Sequence, residues 1–365
     1  MVVSPQLRAP RDGTVTEARR SFFEKGECPD AGVGAVVLRS WERCRELGID
    51  HLENQFIDPC GRAGLSDARE RSAGLLEQAG GVMEHVFEQI RASGSMVILA
   101  DTQGMILHCL GDPDFVSRAH RVALQPGATW DEGIRGTNAI GTAIRECGPV
   151  EVHGAEHYLE RNGFLTCSAV PVLNARGELA GVLDISGDSR NHQRHTLGLV
   201  RLSVQLLEKR LFEADFSRHV RIAFHSRPEY VGSLQEGMLA IGEDGSVVGA
   251  SAFAREFFDL CPGLVSAPSF SNLFRTGVGQ LLDRAAAAPG DLLLVEIRRG
   301  EPVYVQVRGQ RPVRVEAPPH ARRWRRAANG GLPAPPRRPR AGSASTIWRP
   351  GMSDCNWRWI VRAGL

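Results

Sequence analysis

One acidic residue stands in an otherwise apolar stretch of the chain. Asp184 lies between Leu183 and Ile185 in the segment GVLDISG, whose composition is typical of a buried β-strand. A buried carboxylate needs a hydrogen-bond or ion-pair partner, because removing an unpaired charge from water costs free energy. Arg135, in the polar segment RGTNAIGTA, is a candidate partner. The two side chains could together bind a small polar molecule, and in a plainer interpretation Asp184 only ties a sheet to its covering loop.

Two histidines four residues apart, His153 and His157, could in principle hold a metal ion. A zinc-peptidase helix carries Glu directly after the first His, and Gly154 occupies that position here. We therefore interpret His157 as a pocket or helix-capping residue. The sequence predicts no metal site and no cofactor.

The cysteines form no framework, because the eight of them are scattered without a C-x-x-C pair. This favours a reducing, cytoplasmic compartment. Cys167 lies on a predicted strand, with Cys109 and Cys147 on neighbouring elements. Buried, inert thiols are the usual state at such positions, and thiol chemistry remains the alternative.

A phosphate-binding loop is not found in the sequence. Such a loop needs Gly-Lys-Ser/Thr, because its backbone N–H groups cradle the phosphates and its Lys neutralises them. The chain has two lysines, Lys25 and Lys209, and each follows a Glu. We expect no ATPase activity.

Periodicity predicts the elements that position these residues. The predicted helices are 36–48, 66–92, 115–124, 137–147 and 194–216. Gly80 and Gly81 in the second of these favour a bend or a break there, since each mid-helix Gly costs ~1 kcal/mol relative to Ala. The predicted hairpins pair 96–100 with 105–110 and 164–173 with 179–186. Close hairpins cannot make parallel crossovers, so the pattern indicates an antiparallel α+β sheet. Residues 230–310 predict a second, smaller domain, with strand, turn and strand in 237–251, a helix at 252–260 and a hairpin of 291–297 with 301–309.

Three strings in residues 127–187 point to one family. They are RGTNAIGTA (135–143), GAEHYLERNGFLTCSAVPV (154–172) and GVLDISG (181–187). They resemble the GAF sensor domain of bacterial sigma-54-dependent transcriptional activators of the acetoin-catabolism-regulator type. The resemblance implies a GAF-type antiparallel sheet with covering helices. The order of elements in 230–310 resembles a smaller PAS-like α+β domain, and the absence of any helical or strand period in the tail predicts that it is disordered. The expected boundaries are a helical segment at 1–93, the GAF domain at 94–190, a connecting helix at 191–229, the PAS-like domain at 230–310 and the tail at 311–365.

The resemblance also implies a small-molecule pocket between the sheet and the loop-helix layer. We expect its lining to be Trp130, Arg135, Thr137, Asn138, His157, Phe164, Ser168 and Asp184. Trp130 and Phe164 would supply apolar walls, and the other residues would supply polar groups. In the alternative interpretation the loop merely caps a helix at Thr137.

Charge separates the end of the chain from the rest. Residues 317–365 carry ten Arg and one acidic residue, with frequent Trp and Pro. Arg with interleaved Trp could bind nucleic acid, but an out-of-frame translation of a GC-rich gene gives the same bias. We favour the second interpretation, in which the chain is truncated or frameshifted before the ATPase and helix-turn-helix domains of the family.

These observations predict a non-enzymatic, signal-sensing region of a transcriptional regulator. It would bind a small effector and control sigma-54-dependent transcription, reaching DNA and polymerase only through domains absent from this chain. The apolar stripes of helices 66–92 and 194–216 predict a homodimer, and no run of about 18 apolar residues predicts a membrane span. The alternative is a GAF-type free methionine sulfoxide reductase that uses cysteine chemistry.

Overall fold

The computed structural model describes residues 12–27, 32–53, 59–191, 193–261 and 268–309. The predicted tail at 311–365 lies outside these residues. Within them, no helix combines the length and the apolar composition that a membrane crossing requires. They all belong to one compact unit, Pro10–Pro312.

Four helices precede the first sheet: α1 Asp12–Glu24, α2 Ala35–Glu46, α3 Arg62–Arg71 and α4 Ala73–Ile90. The helix predicted at 36–48 is α2. The helix predicted at 66–92 is instead two helices that meet at Ser72, and α4 continues unbroken through Gly80 and Gly81. The break predicted at these glycines is wrong, because burial of the apolar face of α4 outweighs their poor helix propensity.

The first sheet contains five antiparallel strands in the order β2-β1-β5-β4-β3. Their bounds are β1 Ser95–Ala100, β2 Ile106–Gly111, β3 Val150–His153, β4 Leu165–Leu173 and β5 Leu179–Asp188. Both predicted hairpins are present, and β1 pairs with β5 to join them. The short edge strand β3 was not predicted.

Helices cover both faces of this sheet. On the face that we call the inner face lie α5 Pro113–Ala119, α6 Glu132–Arg135 and α7 Ala139–Glu146. On the outer face lie α4 and α8 Thr196–Asp215. The predicted α+β class and the GAF-type sheet with covering helices are confirmed. Because Val86 and Leu207 pack into the outer-face core, the apolar stripes are internal and give no argument for the homodimer, which stays a prediction.

A second five-stranded antiparallel sheet follows, in the order β8-β7-β6-β10-β9. Its strands are β6 Val220–His225, β7 Gly237–Ile241, β8 Val247–Ala250, β9 Leu293–Glu296 and β10 Pro302–Arg308, with helices α9 Ala252–Phe257, α10 Phe270–Leu273 and α11 Val278–Ala287. The central strand β6 falls within the predicted connecting segment 191–229, so this domain begins by Val220 and the boundary at 230 is wrong. Alternation in β6 places Ile222 and Phe224 in the core.

Helix α8 contributes to two clusters of buried side chains. Leu211 belongs to the outer-face core of the first sheet. Its neighbour Phe212 packs instead with Ala175, Met238 and Ala240, at the junction with the second sheet. The backbone N–H of Ala250 donates to the carbonyl of Ala175 over 2.8 Å at the same junction. The two domains are therefore joined by side-chain packing and by backbone hydrogen bonding.

Candidate functional site

A buried polar cluster lies on the inner face of the first sheet. Asp184 and Ser186 reach this face from β5, and Cys167 reaches it from β4, opposite Ser186. These three side chains line a narrow gap together with Leu124, Trp130, Asn138, Ala139 and Ile140. The space does not admit a water-sized sphere. In this structure the predicted pocket is therefore closed.

Asp184 has only half of its carboxyl group satisfied. Its Oδ2 accepts a hydrogen bond from the Ser186 hydroxyl over 2.5 Å. Its Oδ1 has no hydrogen-bond partner among the described residues, although the side chain is wholly buried. Burial raises the pKa of Asp184 to about 7. An unsatisfied buried acceptor beside a small enclosed space is costly, and a ligand group could satisfy it.

The polar contacts continue from Ser186 to His157. The Ser186 hydroxyl lies 3.1 Å from the Cys167 sulfur, which lies 3.5 Å from Nε2 of His157. Nδ1 of His157 lies 3.0 Å from the Gly154 carbonyl, which can only accept, so Nδ1 carries the proton and Nε2 accepts from the thiol. Burial lowers the pKa of His157 to about 4 and holds the pKa of Cys167 well above its usual range. The imidazole and the thiol are both neutral near pH 7.

Arg135 does not pair with Asp184, so the pairing predicted from the sequence is wrong. Arg135 contacts its own loop, where Nε donates to the Thr129 carbonyl over 3.3 Å and the guanidinium lies 6.0 Å from the Trp130 ring centroid. Burial, followed by the charge of Arg161, lowers the pKa of Arg135 to about 10. The carboxyl of Asp184 is hydrogen-bonded to its own strand instead.

The loop does cap a helix, but through a different residue from the one predicted. The Asn138 side chain accepts from the Gly141 N–H over 2.8 Å and forms the N-cap of α7. The Thr137 hydroxyl lies 2.7 Å from the Ser40 hydroxyl of α2. Thr137 therefore connects the loop to an N-terminal helix and is not the cap.

Ser168 lies on the wrong face of the sheet for the predicted pocket. It opposes Ile185, whose side chain belongs to the outer-face core, and its hydroxyl donates to Glu151 over 3.3 Å. Counting outward from the pair Leu173 and Leu179 would set Ser168 opposite Asp184. An irregularity in the ladder between Val172 and Leu173 shifts the register by one residue, so Cys167 faces the cluster instead.

The eight predicted residues are thus only partly brought together. Trp130, Asn138 and Asp184 line the enclosed space, and His157 touches it through Cys167. Phe164 is half-buried, with the Arg118 guanidinium 5.1 Å from its ring centroid. Sequence reasoning missed Cys167 and Ser186. Alternation along β5 could have indicated Ser186, because residues two apart on a strand share a face.

The loop around the closed space is held by the N-terminal helices. Glu132, wholly buried, accepts hydrogen bonds from Arg43 over 2.7 Å, from Ser40 over 2.6 Å and from Thr142 over 2.8 Å. Trp41 donates from its indole N–H to the Glu156 carbonyl over 2.7 Å. These contacts join α2 to the loop at Glu132 and to the segment at Glu156, next to His157. No local sequence pattern indicates them.

Metal and disulfide chemistry find no support in the described part of the chain. It holds no group of three or more His, Cys, Asp or Glu side chains arranged to bind a metal ion. Cys44, Cys60, Cys109, Cys147, Cys167 and Cys261 are free thiols.

The antiparallel sheet and its covering helices on both faces define a GAF-type α+β domain. The sequence model of the family described as "MimR, N-terminal domain" matches residues 10–204, more than half of the chain. The chain belongs to this family.

Several curated relatives are named as transcriptional regulators. The Acetoin catabolism regulatory protein of Cupriavidus necator is 28% identical over 296 residues, covering 78% of this chain and 44% of that protein. The Propane 2-monooxygenase operon transcriptional activator MimR of Mycolicibacterium goodii is 27% identical over 315 residues, covering 82% of this chain and 50% of that protein. The chain spans about half the length of these relatives. Their names give no support to the sulfoxide reductase alternative.

Among solved structures, the E. coli DhaR(N)-DhaL complex contains a similar chain. The similarity covers 75% of this chain and 99% of that chain, at 15% sequence identity and a TM-score of 0.48.

Proposed function

We propose that this chain is the signal-sensing region of a transcriptional activator, and that its first domain binds a small neutral effector at Asp184. The observation that carries the proposal is the buried Oδ1 of Asp184, which lacks a partner beside an enclosed space. A hydroxyl or carbonyl group, with apolar atoms against Trp130 and Ile140, matches this chemistry. Short alcohols and hydroxyketones are therefore the proposed class, with Asn138 as a second polar contact.

Binding would require the loop over the space to move, because the closed space does not admit even a water-sized sphere. An effector that binds only the open arrangement shifts the population toward it. Glu132 and Thr137 connect this loop to α2 through hydrogen bonds to Ser40 and Arg43. Opening of the loop would thus change its hydrogen bonds to the N-terminal helix α2.

The proposed output is control of sigma-54-dependent transcription. It would be exerted through an ATPase domain and a DNA-binding domain, which would make the contacts with polymerase and DNA. The support for this step is the family resemblance together with relatives that are named as transcriptional activators.

Effector binding is tested by thermal melting of the full chain with acetoin and with a panel of short alcohols, ketones and aromatics. A ligand that binds only the folded state raises Tm by mass action. We expect a rise for the wild type and none for Asp184→Ala. Ser168→Ala is the matched control, because Ser168 lies on the opposite face, and it should respond as the wild type does. An unshifted wild type across the panel, or a full response of Asp184→Ala, would overturn the proposal.

Transcriptional output is tested with a chimera. Residues 1–309 would replace the matching region of the Cupriavidus necator regulator, and a reporter would be measured with and without the effector found by melting. The proposal expects induction that needs sigma-54 and disappears with Asp184→Ala. Equal induction in a strain lacking sigma-54 would contradict it.

A further inference from the structure

A larger cavity lies at the junction of the two domains, away from the inner polar cluster. Its volume is about 350 Å³, within the roughly 300–1,000 Å³ of small-molecule sites. Its walls come from the β4–β5 turn and α8 on one side, and from β7, β8 and α9 on the other. Neither the proposed function nor the family relationship assigns it a role.

Arg255 lines this cavity, and its guanidinium is only partly engaged in hydrogen bonds. Its Nη1 donates to the carbonyls of Asn174 over 3.2 Å and of Ala250 over 2.7 Å. Its Nη2 makes no hydrogen bond to any described residue, whereas Nε packs against Gly177 of the β4–β5 turn. Burial lowers the pKa of Arg255, and the charge of Glu208 partly opposes this shift. A largely buried guanidinium with free donors favours an anionic, planar partner such as a carboxylate.

A second cation at the cavity is incompletely neutralised. Lys209 donates from Nζ to Glu236 over 2.6 Å, and Arg308 binds the same carboxylate with both of its terminal nitrogens, over 2.7 and 2.8 Å. Two cations thus share one anion, which leaves one positive charge. Glu208 is the other acidic residue of the lining, and burial raises its pKa to about 7. Arg308 lies outside the lining but binds Glu236, so three cations (Lys209, Arg255 and Arg308) face two carboxylates (Glu208 and Glu236).

The rest of the lining supplies apolar surface. Phe212 and Met238 belong to the buried cluster at the junction, and Phe253 stacks on His225 with ring centroids 5.2 Å apart. Buried apolar area is the main source of affinity in such sites, whereas a few polar groups fix orientation.

We propose that this cavity binds a small organic carboxylate with an apolar body. The carboxylate lies between Arg255 and Lys209, and the body lies against Phe212, Met238 and Phe253. Since Lys209 and Phe212 belong to α8 while the other three residues belong to the second domain, an occupied cavity joins the two domains more tightly. This site is independent of Asp184.

Benzoate is the probe, and benzyl alcohol is its uncharged comparator of similar shape. The chain has two lysines, Lys25 and Lys209, so reductive methylation followed by peptide mass spectrometry reports on each separately. We expect benzoate to slow methylation of Lys209 several-fold and to leave that of the exposed Lys25 unchanged. Benzyl alcohol should protect neither. No protection of Lys209 by millimolar benzoate, or equal protection by benzyl alcohol, would overturn the proposal.

Affinity for benzoate, measured by calorimetry, gives a second readout. Lys209→Met should weaken binding about tenfold or more, because a charge-assisted hydrogen bond is lost. Glu236 keeps Arg308 in this variant, which protects the fold. Lys25→Met is the matched control and should bind as the wild type does. Asp184→Ala should also bind benzoate normally, so failure at one site is distinguishable from failure at the other. Unchanged affinity in Lys209→Met would contradict the proposed site.

Discussion

Asp184 and Ser186 share one face of one strand, and the Ser186 hydroxyl donates to Oδ2 of Asp184 over 2.5 Å. No other hydrogen bond to the Asp184 carboxyl is formed within the described residues. A single hydroxyl compensates poorly for a wholly buried carboxylate, and this is why burial raises its pKa to about 7. A core carboxyl that is protonated over much of the acidic range has consequences for stability.

The free energy of unfolding should depend on pH through Asp184. Burial raises its pKa from 3.8 to about 7, so between these values the folded state holds a proton that the unfolded state releases. Stability contributed by this group is therefore lost as pH rises through that window, by up to about 1.4 kcal/mol per pH unit. Glu156 and Glu208, also raised to about 7, act in the same direction. His157, lowered to about 4, acts in the opposite direction up to about pH 6.5.

Asp184→Asn isolates this contribution, because it removes one titrating group and keeps the shape of the side chain. Urea denaturation from pH 4.5 to 7.5 should show the variant gaining on the wild type as pH rises. Parallel stability curves for the two proteins would show that Asp184 does not titrate in this range.

Cys167 should resist alkylation in the folded chain, and the chain should not reduce methionine sulfoxide. The thiol is buried and its pKa lies well above the usual range, so little nucleophilic thiolate forms near pH 7. Exposed Cys261 is the internal control and should label rapidly with iodoacetamide, as read by peptide mass spectrometry. Equal labelling of Cys167 and Cys261 would contradict this prediction. Dithiothreitol-dependent reduction of methionine sulfoxide that is lost in Cys167→Ser would support the reductase alternative.

Two glycine substitutions should have opposite effects on stability. A Cβ at Gly141 would clash with the Glu132 nitrogen and the Trp130 carbonyl. Both are backbone atoms, which cannot move away without a large cost in free energy. Gly141→Ala should therefore cost about 1–3 kcal/mol. Gly80 lies within α4 with nothing within 4 Å of a Cβ, so Gly80→Ala should stabilise by about 0.5–1 kcal/mol. Chemical denaturation measures both, and a stable Gly141→Ala would mean that α7 can move off the loop.

Glu132 should prove essential for docking α2 on the sensor. Glu132→Gln replaces an acceptor of three side chains with a group that also donates, at an expected cost of about 1–3 kcal/mol. Limited proteolysis should then cut near α2 sooner than in the wild type. Arg39→Ala is the control: its side chain is half-exposed and its partner Glu146 keeps Arg43, so a change below about 1 kcal/mol is expected. Equal protease resistance of Glu132→Gln and the wild type would count against this role.

Features determined by neighbouring residues could be predicted from the sequence. The hairpins of the first sheet were found because alternation and a tight turn are local, and α2 and α8 because their apolar faces repeat with helical spacing. One local feature was missed: the predicted site includes Ser168, whereas Cys167 is the residue of β4 that faces it. The irregularity near Val172 shifts the register by one residue, and a one-residue shift exchanges the two faces of a strand.

Features determined by distant contacts could not be predicted. β3 has only four residues, and no tight turn joins β3 to β4 or β6 to β7, so the strand state of both depends on their neighbours in the sheet. The α1 helix buries Phe22 against Trp41, and its Arg19 donates to the His157 carbonyl over 2.6 Å. No pattern within residues 12–24 indicates those partners. The same holds for Arg135, which donates to the Thr129 carbonyl and not to Asp184.

Leu211 and Phe212 are adjacent in α8, yet their side chains enter different cores. Successive residues on a helix point about 100° apart, so this step in direction is the border between the two domains. The two domains therefore divide α8 by its sides, one side packing in each core, and not by a position along the chain. Cutting within α8 to express the domains separately would leave one of them with an uncovered apolar face. Inserting one residue into α8 would rotate one sheet relative to the other about the helix axis, by about 100°.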